Sequence, residues 1–115
     1  HRKPYLTKAI INREVIVARI GAERVGFAIL NRSFFEQYFV ALLIVHPDHR
    51  RQGIATALMN YIEKTCPERK LFASTNTSNT TARRLLASLG FIHSGQIDNL
   101  DDGDPEIVYV KFLER

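Results

Sequence analysis

Residues 45–64, "VHPDHRRQGIATALMNYIEK", restrict the possible folds of this chain more than any other stretch. An eight-residue apolar run, residues 38–45, leads through a proline, several basic residues and one glycine into a helical pattern. Ile54, Leu58, Tyr61, Ile62 and Thr65 recur at the spacing of a single helix face, and Pro67 ends the pattern. A greasy strand that turns straight into an amphipathic helix calls for a sheet with helices packed on it.

The junction also has a chemistry of its own. The first turn of a helix offers backbone N–H groups without an intrahelical partner, and the helix dipole adds its pull on an anion. Gly53 and Ala55 leave that backbone bare, Arg50 and Arg51 bring positive charge, and Gln52, Ile54 and Thr56 complete the segment. Residues 50–56 therefore read as a phosphate or pyrophosphate site; an ordinary helix start with a solvated basic face is the alternative. The glycine–lysine spacing of a P-loop is absent, and so is the dinucleotide fingerprint.

The rest of the chain supplies a sheet. Residues 1–11 mix polar and apolar side chains and read as the tail of a helix. Residues 14–20 ("EVIVARI") and 25–30 read as strands joined by the turn "GAER" into a hairpin. Residues 35–45 read as a third strand, apolar on both faces toward its end like a buried central strand. A short strand over 70–75 precedes the polar loop "NTSN" and a helix with Ala82, Leu85, Leu86 and Leu89 on one face. Gly90 is placed as its C-terminal cap. Two further strands, 91–97 and 106–113, are joined by the acidic "DNLDDGDP". This order predicts an α/β fold with a mixed, mostly antiparallel central sheet flanked by helices, in one domain over residues 1–115.

Composition excludes several classes. With 115 residues the chain can bury one core, and its 45% hydrophobic content argues against bulk disorder. No run is long enough to span a membrane, no signal segment opens the chain, and the single Cys66 cannot form an internal disulfide. The expectation is a cytoplasmic protein with no membrane partner. A net charge of +4 suits an anionic ligand. The basic residues His46, His49, Arg50, Arg51, Arg83 and Arg84 form two patches without interleaved aromatics or zinc spacing, so neither nucleic acid nor a metal is expected.

The segment "VHPDHRRQGIATALM" resembles the acyl-CoA loop of the GNAT superfamily of N-acyltransferases, Q/R-x-x-G-x-G/A after a "V-x-P" strand end. Arg50, Gly53 and Ala55 fill its fixed positions. A second segment, "NTTARRLLASLGF", is similar to the family's later helix, with Asn79, Ala82, Leu85, Gly90 and Phe91 at matching places. The resemblance runs over nearly the whole chain. It departs at Leu86, where relatives usually carry a tyrosine that protonates the departing thiolate. It departs again at the start: only thirteen residues precede the first hairpin, which implies a clipped N-terminus or a fold lacking the usual first strand and helix.

From this resemblance follows an acetyl-CoA-dependent N-acetyltransferase acting on a primary amine, with acetyl-CoA as co-substrate. Leu43, Ile44 and Val45 would pair their backbone with the pantetheine arm, and a strand bulge would aim the Leu43 N–H at the thioester oxygen. Arg50, Arg51, Gln52, Gly53, Ile54, Ala55 and Thr56 would hold the pyrophosphate. Asn79 would shape the pantetheine slot, cap its helix, or do both. The amine would attack directly, so Cys66 is not needed as a nucleophile. For the base, Glu36 and Tyr38 could act through water; plainer readings make them a surface acid and a packed aromatic. His46 and His93 are of a residue type that can act as a base but sit at less suitable places. Asp98, Asp101, Asp102, Asp104 and Glu106 either draw in a cationic acceptor or form a solvated turn. A non-catalytic acyl-CoA-binding module is the rival function, and exposed strand edges leave room for a homodimer.

Overall fold

The computed structural model describes residues 5–8 and 15–114. Strands β1 (Tyr5–Lys8), β2 (Val15–Ile20), β3 (Glu23–Phe34) and β4 (Gln37–Val45) come first, followed by helix α1 (Ile54–Thr65). Strand β5 (Lys70–Asn76), helix α2 (Thr80–Ser88), and strands β6 (Ile92–Ile97) and β7 (Glu106–Phe112) complete the chain. One sheet runs in the order β1-β2-β3-β4-β5-β7-β6. Every neighbouring pair is antiparallel except β4 with β5. The mixed sheet with helices matches the fold expected. Tyr5–Lys8 corrects the expected helix tail, since these residues extend the sheet by pairing with β2; the rest of that expectation lies outside the described residues.

The local signals hold where they were strongest. Helix α1 buries Ile54, Leu58, Met59 and Ile62 and ends at Cys66, just before Pro67. Helix α2 ends as its glycine predicts. Gly90, at φ 87°, donates to Ala87 O, and Phe91 N donates to Leu86 O, so two orphan carbonyls are satisfied. Phe91 and Leu86 are both buried beside this turn. The core lies on one face of the sheet, where α1 and Leu86 of α2 meet Ile16, Ala18, Ala28, Leu30, Leu71, Ala73 and Tyr109. Gly26 lets α1 come close: a Cβ there would stand 2.9 Å from Ile44 O and 3.2 Å from Ile54 Cγ2.

Two features of β4 differ from expectation. Residues 35–45 are not one strand, because β3 continues to Phe34 and the chain reverses at Phe35 and Glu36, both with positive φ (49° and 61°). Hairpin turns of this kind usually carry asparagine or glycine. Here the turn is held by its surroundings: Arg32 Nε donates to Glu36 O at 2.9 Å, and Phe34 stacks on Phe39 with ring centroids 5.3 Å apart.

The second feature is a bulge. Leu30 faces Val40 while Ile29 faces Leu42, so Ala41 is left without an opposite number on β3. The extra residue switches the side-chain parity, and Tyr38 and Val40 before it point to the core together with Leu43 and Val45 after it. Leu42 and Ile44 consequently turn to the other face, where they are 40% and 44% exposed. The expected burial of both faces of this strand end is thus corrected.

Candidate functional site

The bulge coincides with a parting of strands. Registered pairs between β4 and β5 are confined to Phe39–Phe72 and Val40–Ala73. Beyond Val40 the two strands no longer pair, and a cleft of about 220 Å³ opens between them. Val40 to Leu43 form one wall and Ala73, Ser74 and Thr75 the other. Met59 of α1 and Asn79, Ala82, Leu85 and Leu86 of α2 complete the lining. No lining residue carries a titratable side chain, so the cleft suits a long, thin, mostly apolar and neutral group.

At the end of β4 the chain makes a single 3-10 turn, Pro47–His49, and then the basic loop. His46 N donates to Val25 O at 2.8 Å, which ties the exit of β4 back to β3. The His49 imidazole lies 3.1 Å from Glu23 Oε2 and 3.4 Å from Gln52 Oε1, bracing the loop from within. Arg51 and Gly53 take positive φ, 65° and 78°, and Gly53 is the N-cap of α1 with no side-chain cap bond. Among the described residues, neither the Arg50 nor the Arg51 guanidinium is engaged in an ion pair or hydrogen bond, and both residues are exposed. The first turn of α1 therefore presents uncapped N–H groups beside two free cations, with nothing within 4 Å of the place a Gly53 Cβ would occupy.

The predicted site residues divide into groups. Leu43 and Asn79 both line the cleft. Asn79 is also the N-cap of α2, its Oδ1 accepting from Ala82 N at 3.1 Å. Ile44 points to the opposite face, and Val45 packs against the core. Residues 50–56 form the loop and helix start, where Gln52 braces His49 and Ile54 is buried. Glu36 sits at the exposed hairpin tip, and Tyr38 lies under Arg32, 5.6 Å from ring centroid to guanidinium carbon; neither lines the cleft. His46 accepts from Asp48 N through Nδ1, and His93 of β6 packs edge-on to Tyr109 of β7. They too stand outside the lining. Cys66 is buried at the end of α1.

Met59, Ser74 and Thr75 were not anticipated. Met59 adjoins the apolar stripe of α1, but nothing in the local pattern announces that its neighbour sheet opens beneath it. Among the described residues there is no group of three or more His, Cys, Asp or Glu side chains suited to a metal ion. Among the described residues no helix is long and apolar enough to cross a membrane.

The sheet splits between two parallel strands, and β4, on one side of the split, leads through the basic loop into the uncapped start of α1. Residues 2–91 match the Acetyltransferase (GNAT) family, and the chain belongs to that family. A GNAT-family acetyltransferase from Bacillus cereus ATCC 10987 is 36% identical with a TM-score of 0.86, over 92% of this chain and 75% of that one. The mycothiol acetyltransferase of Parafrankia sp. (strain EAN1pec) is 49% identical over 47 residues. That match covers 41% of this chain but 14% of the relative, so the chain spans a small part of that protein's length. A Bacillus anthracis str. Ames structure in complex with acetyl coenzyme A shares the fold at 13% identity, with a TM-score of 0.78 over 96% of this chain and 85% of that one.

Proposed function

We propose that the chain binds acetyl-CoA in the split between β4 and β5 and transfers its acetyl group to a primary amine by direct attack in a ternary complex. The observation that carries this reading is a cleft without titratable lining beside β4, the strand that leads through the basic loop into the uncapped N-terminus of α1. The pantetheine arm would lie along Leu43 on the backbone edge that β4 leaves unpaired. The pyrophosphate would take the N–H groups of residues 54–56, with Arg50 and Arg51 adding charge. Family membership and the acetyl-CoA complex of the B. anthracis relative support the choice of co-substrate.

In the reaction, the amine nitrogen attacks the thioester carbonyl. A C–N bond forms, the C–S bond breaks, and CoA leaves as its thiolate. The Leu43 N–H, beside the Ala41 bulge, would steady the oxyanion that develops on the carbonyl oxygen. Leu86 cannot donate a proton to the thiolate, which is tolerable for a leaving group of pKa about 8.5. The cleft lining offers no base, so the ammonium would lose its proton through water before attack, with Glu36 and Tyr38 as the expected relays at the hairpin end of β4.

The same absence of a titratable group in the lining favours one rival, a non-catalytic acyl-CoA-binding module. Calorimetric titration with acetyl-CoA, followed by thiol release across a panel of amines, separates the two. Saturable binding with amine-dependent thiol release supports transfer. Binding with no release from any amine supports the module, and no binding overturns both.

A further inference from the structure

The acidic loop between β6 and β7 is tied to the rim of the cleft. The segment that turns from β5 into α2 passes through Thr77 and Ser78 before reaching Asn79, the cap and cleft residue. Ser78 N donates to Asp104 Oδ1 at 3.0 Å, and Ser78 Oγ donates to Asp104 Oδ2 at 2.5 Å. Asn76 Nδ2 donates to Asp101 Oδ2 at 2.9 Å and to Asp104 O at 3.1 Å. Thr77 gives both its N–H and its hydroxyl to Pro105 O. From the other side, Arg83 Nη1 donates to Thr77 O at 3.1 Å.

We propose that Asp104 is a positioning residue for acetyl-CoA: its carboxylate fixes Ser78, and through it Asn79 and the wall of the cleft formed by α2. This rests on the acetyl-CoA reading above. A carboxylate has two acceptor oxygens, and here both are used on one residue, one for the backbone and one for the side chain. An asparagine offers a single oxygen, so Asp104→Asn must abandon one of the two bonds and turn an NH₂ toward a donor. Asp101 spends one oxygen on Asn76, a role an asparagine can keep. Asp102 is exposed and makes no such bond among the described residues. The carboxylates of this loop thus differ in role, and the one closest in its bonding to the cleft acts on the co-substrate side and not on the amine.

The test measures steady-state kinetics with a working amine, and calorimetric binding, for the full chain. Asp104→Asn should raise the KM and Kd for acetyl-CoA by about tenfold, as loss of a charge-assisted bond implies. At saturating acetyl-CoA, kcat and the amine KM should change by less than roughly twofold, because the reacting groups remain in place. Ser78→Ala should repeat part of the effect and remain measurable if Asp104→Asn folds poorly. The double variant should fall short of the sum of the two singles, since they share the same bonds. Asp102→Asn should leave the acetyl-CoA KM and Kd unchanged. An unchanged acetyl-CoA Kd in folded Asp104→Asn and Ser78→Ala, or an effect confined to the amine KM, overturns the positioning role. If the unaltered chain binds no acetyl-CoA, the functional reading falls first and the positioning role with it.

Discussion

The His49 imidazole stands 3.1 Å from the Glu23 carboxylate, joining the basic loop to the first residue of β3. The two residues are 26 apart in sequence, and their contact ties the loop before α1 to the sheet. His49→Ala removes this brace and the contact with Gln52. Affinity for acetyl-CoA should fall roughly three- to tenfold, the range expected for one or two lost hydrogen bonds that order a binding loop. Calorimetry measures it; unchanged affinity would show that the loop needs no such support.

Gly53 separates ligand clash from fold damage. No atom lies within 4 Å of a Cβ at this position, so Gly53→Ala meets only the positive-φ penalty of about 1–2 kcal/mol. Gly53→Glu carries the same penalty and also projects a negative charge where the pyrophosphate would sit. Both should fold with similar melting temperatures, while acetyl-CoA affinity falls by about a hundredfold or more in the glutamate variant alone. Full affinity in a folded Gly53→Glu protein would sink the pyrophosphate assignment.

Leu86 carries two duties. At 5% exposure it belongs to the core, its carbonyl closes the turn at Gly90, and its side chain also lines the cleft. Leu86→Tyr should lower stability by about 1–3 kcal/mol through overpacking, read from urea unfolding. Its hydroxyl would nonetheless reach the cleft and be able to protonate the departing thiolate. Turnover per folded molecule at saturating acetyl-CoA should hold or rise. A sharp fall without loss of acetyl-CoA binding would mean that the ring obstructs the reacting groups.

Gly26 tests how closely α1 must approach the sheet. In Gly26→Ala the new methyl meets Ile44 O at 2.9 Å, a backbone atom that cannot swing aside. Stability should drop by about 1–3 kcal/mol, measured by denaturant midpoint at constant slope. Acetyl-CoA binding should weaken as well, because Ile44 and Ile54, the two neighbours in the way, flank the cleft strand and the loop. A neutral substitution would show that the helix can shift at no cost.

Much of this protein is written in short stretches. The stripe of α1, the stop at Pro67, the glycine that ends α2 and the uncapped start after Gly53 depend on residues within a few positions of each other, so their physics is local. The Arg–Arg–Gln–Gly segment could be read as an anion site for the same reason: orphan N–H groups and nearby cations follow from the chain alone.

Other features needed the folded sheet. The Phe35–Glu36 reversal has no turn residue to announce it and is held by Arg32 and the Phe34–Phe39 stack. The run at residues 38–45 looked doubly buried, yet the extra residue at Ala41 sends Leu42 and Ile44 to the open face and aligns Leu43 with the cleft. An apolar pattern records which side chains tolerate burial, whereas parity and strand separation depend on the register with β3 and β5. The sequence of the acidic loop likewise shows only charge. That Asp104 spends its charge on Ser78, 26 residues away, is decided by the strand order that brings β7 beside β5. Local chemistry thus determined the elements and the uncapped basic start of α1, while tertiary pairing decided where the sheet splits and which distant residues bond to each other.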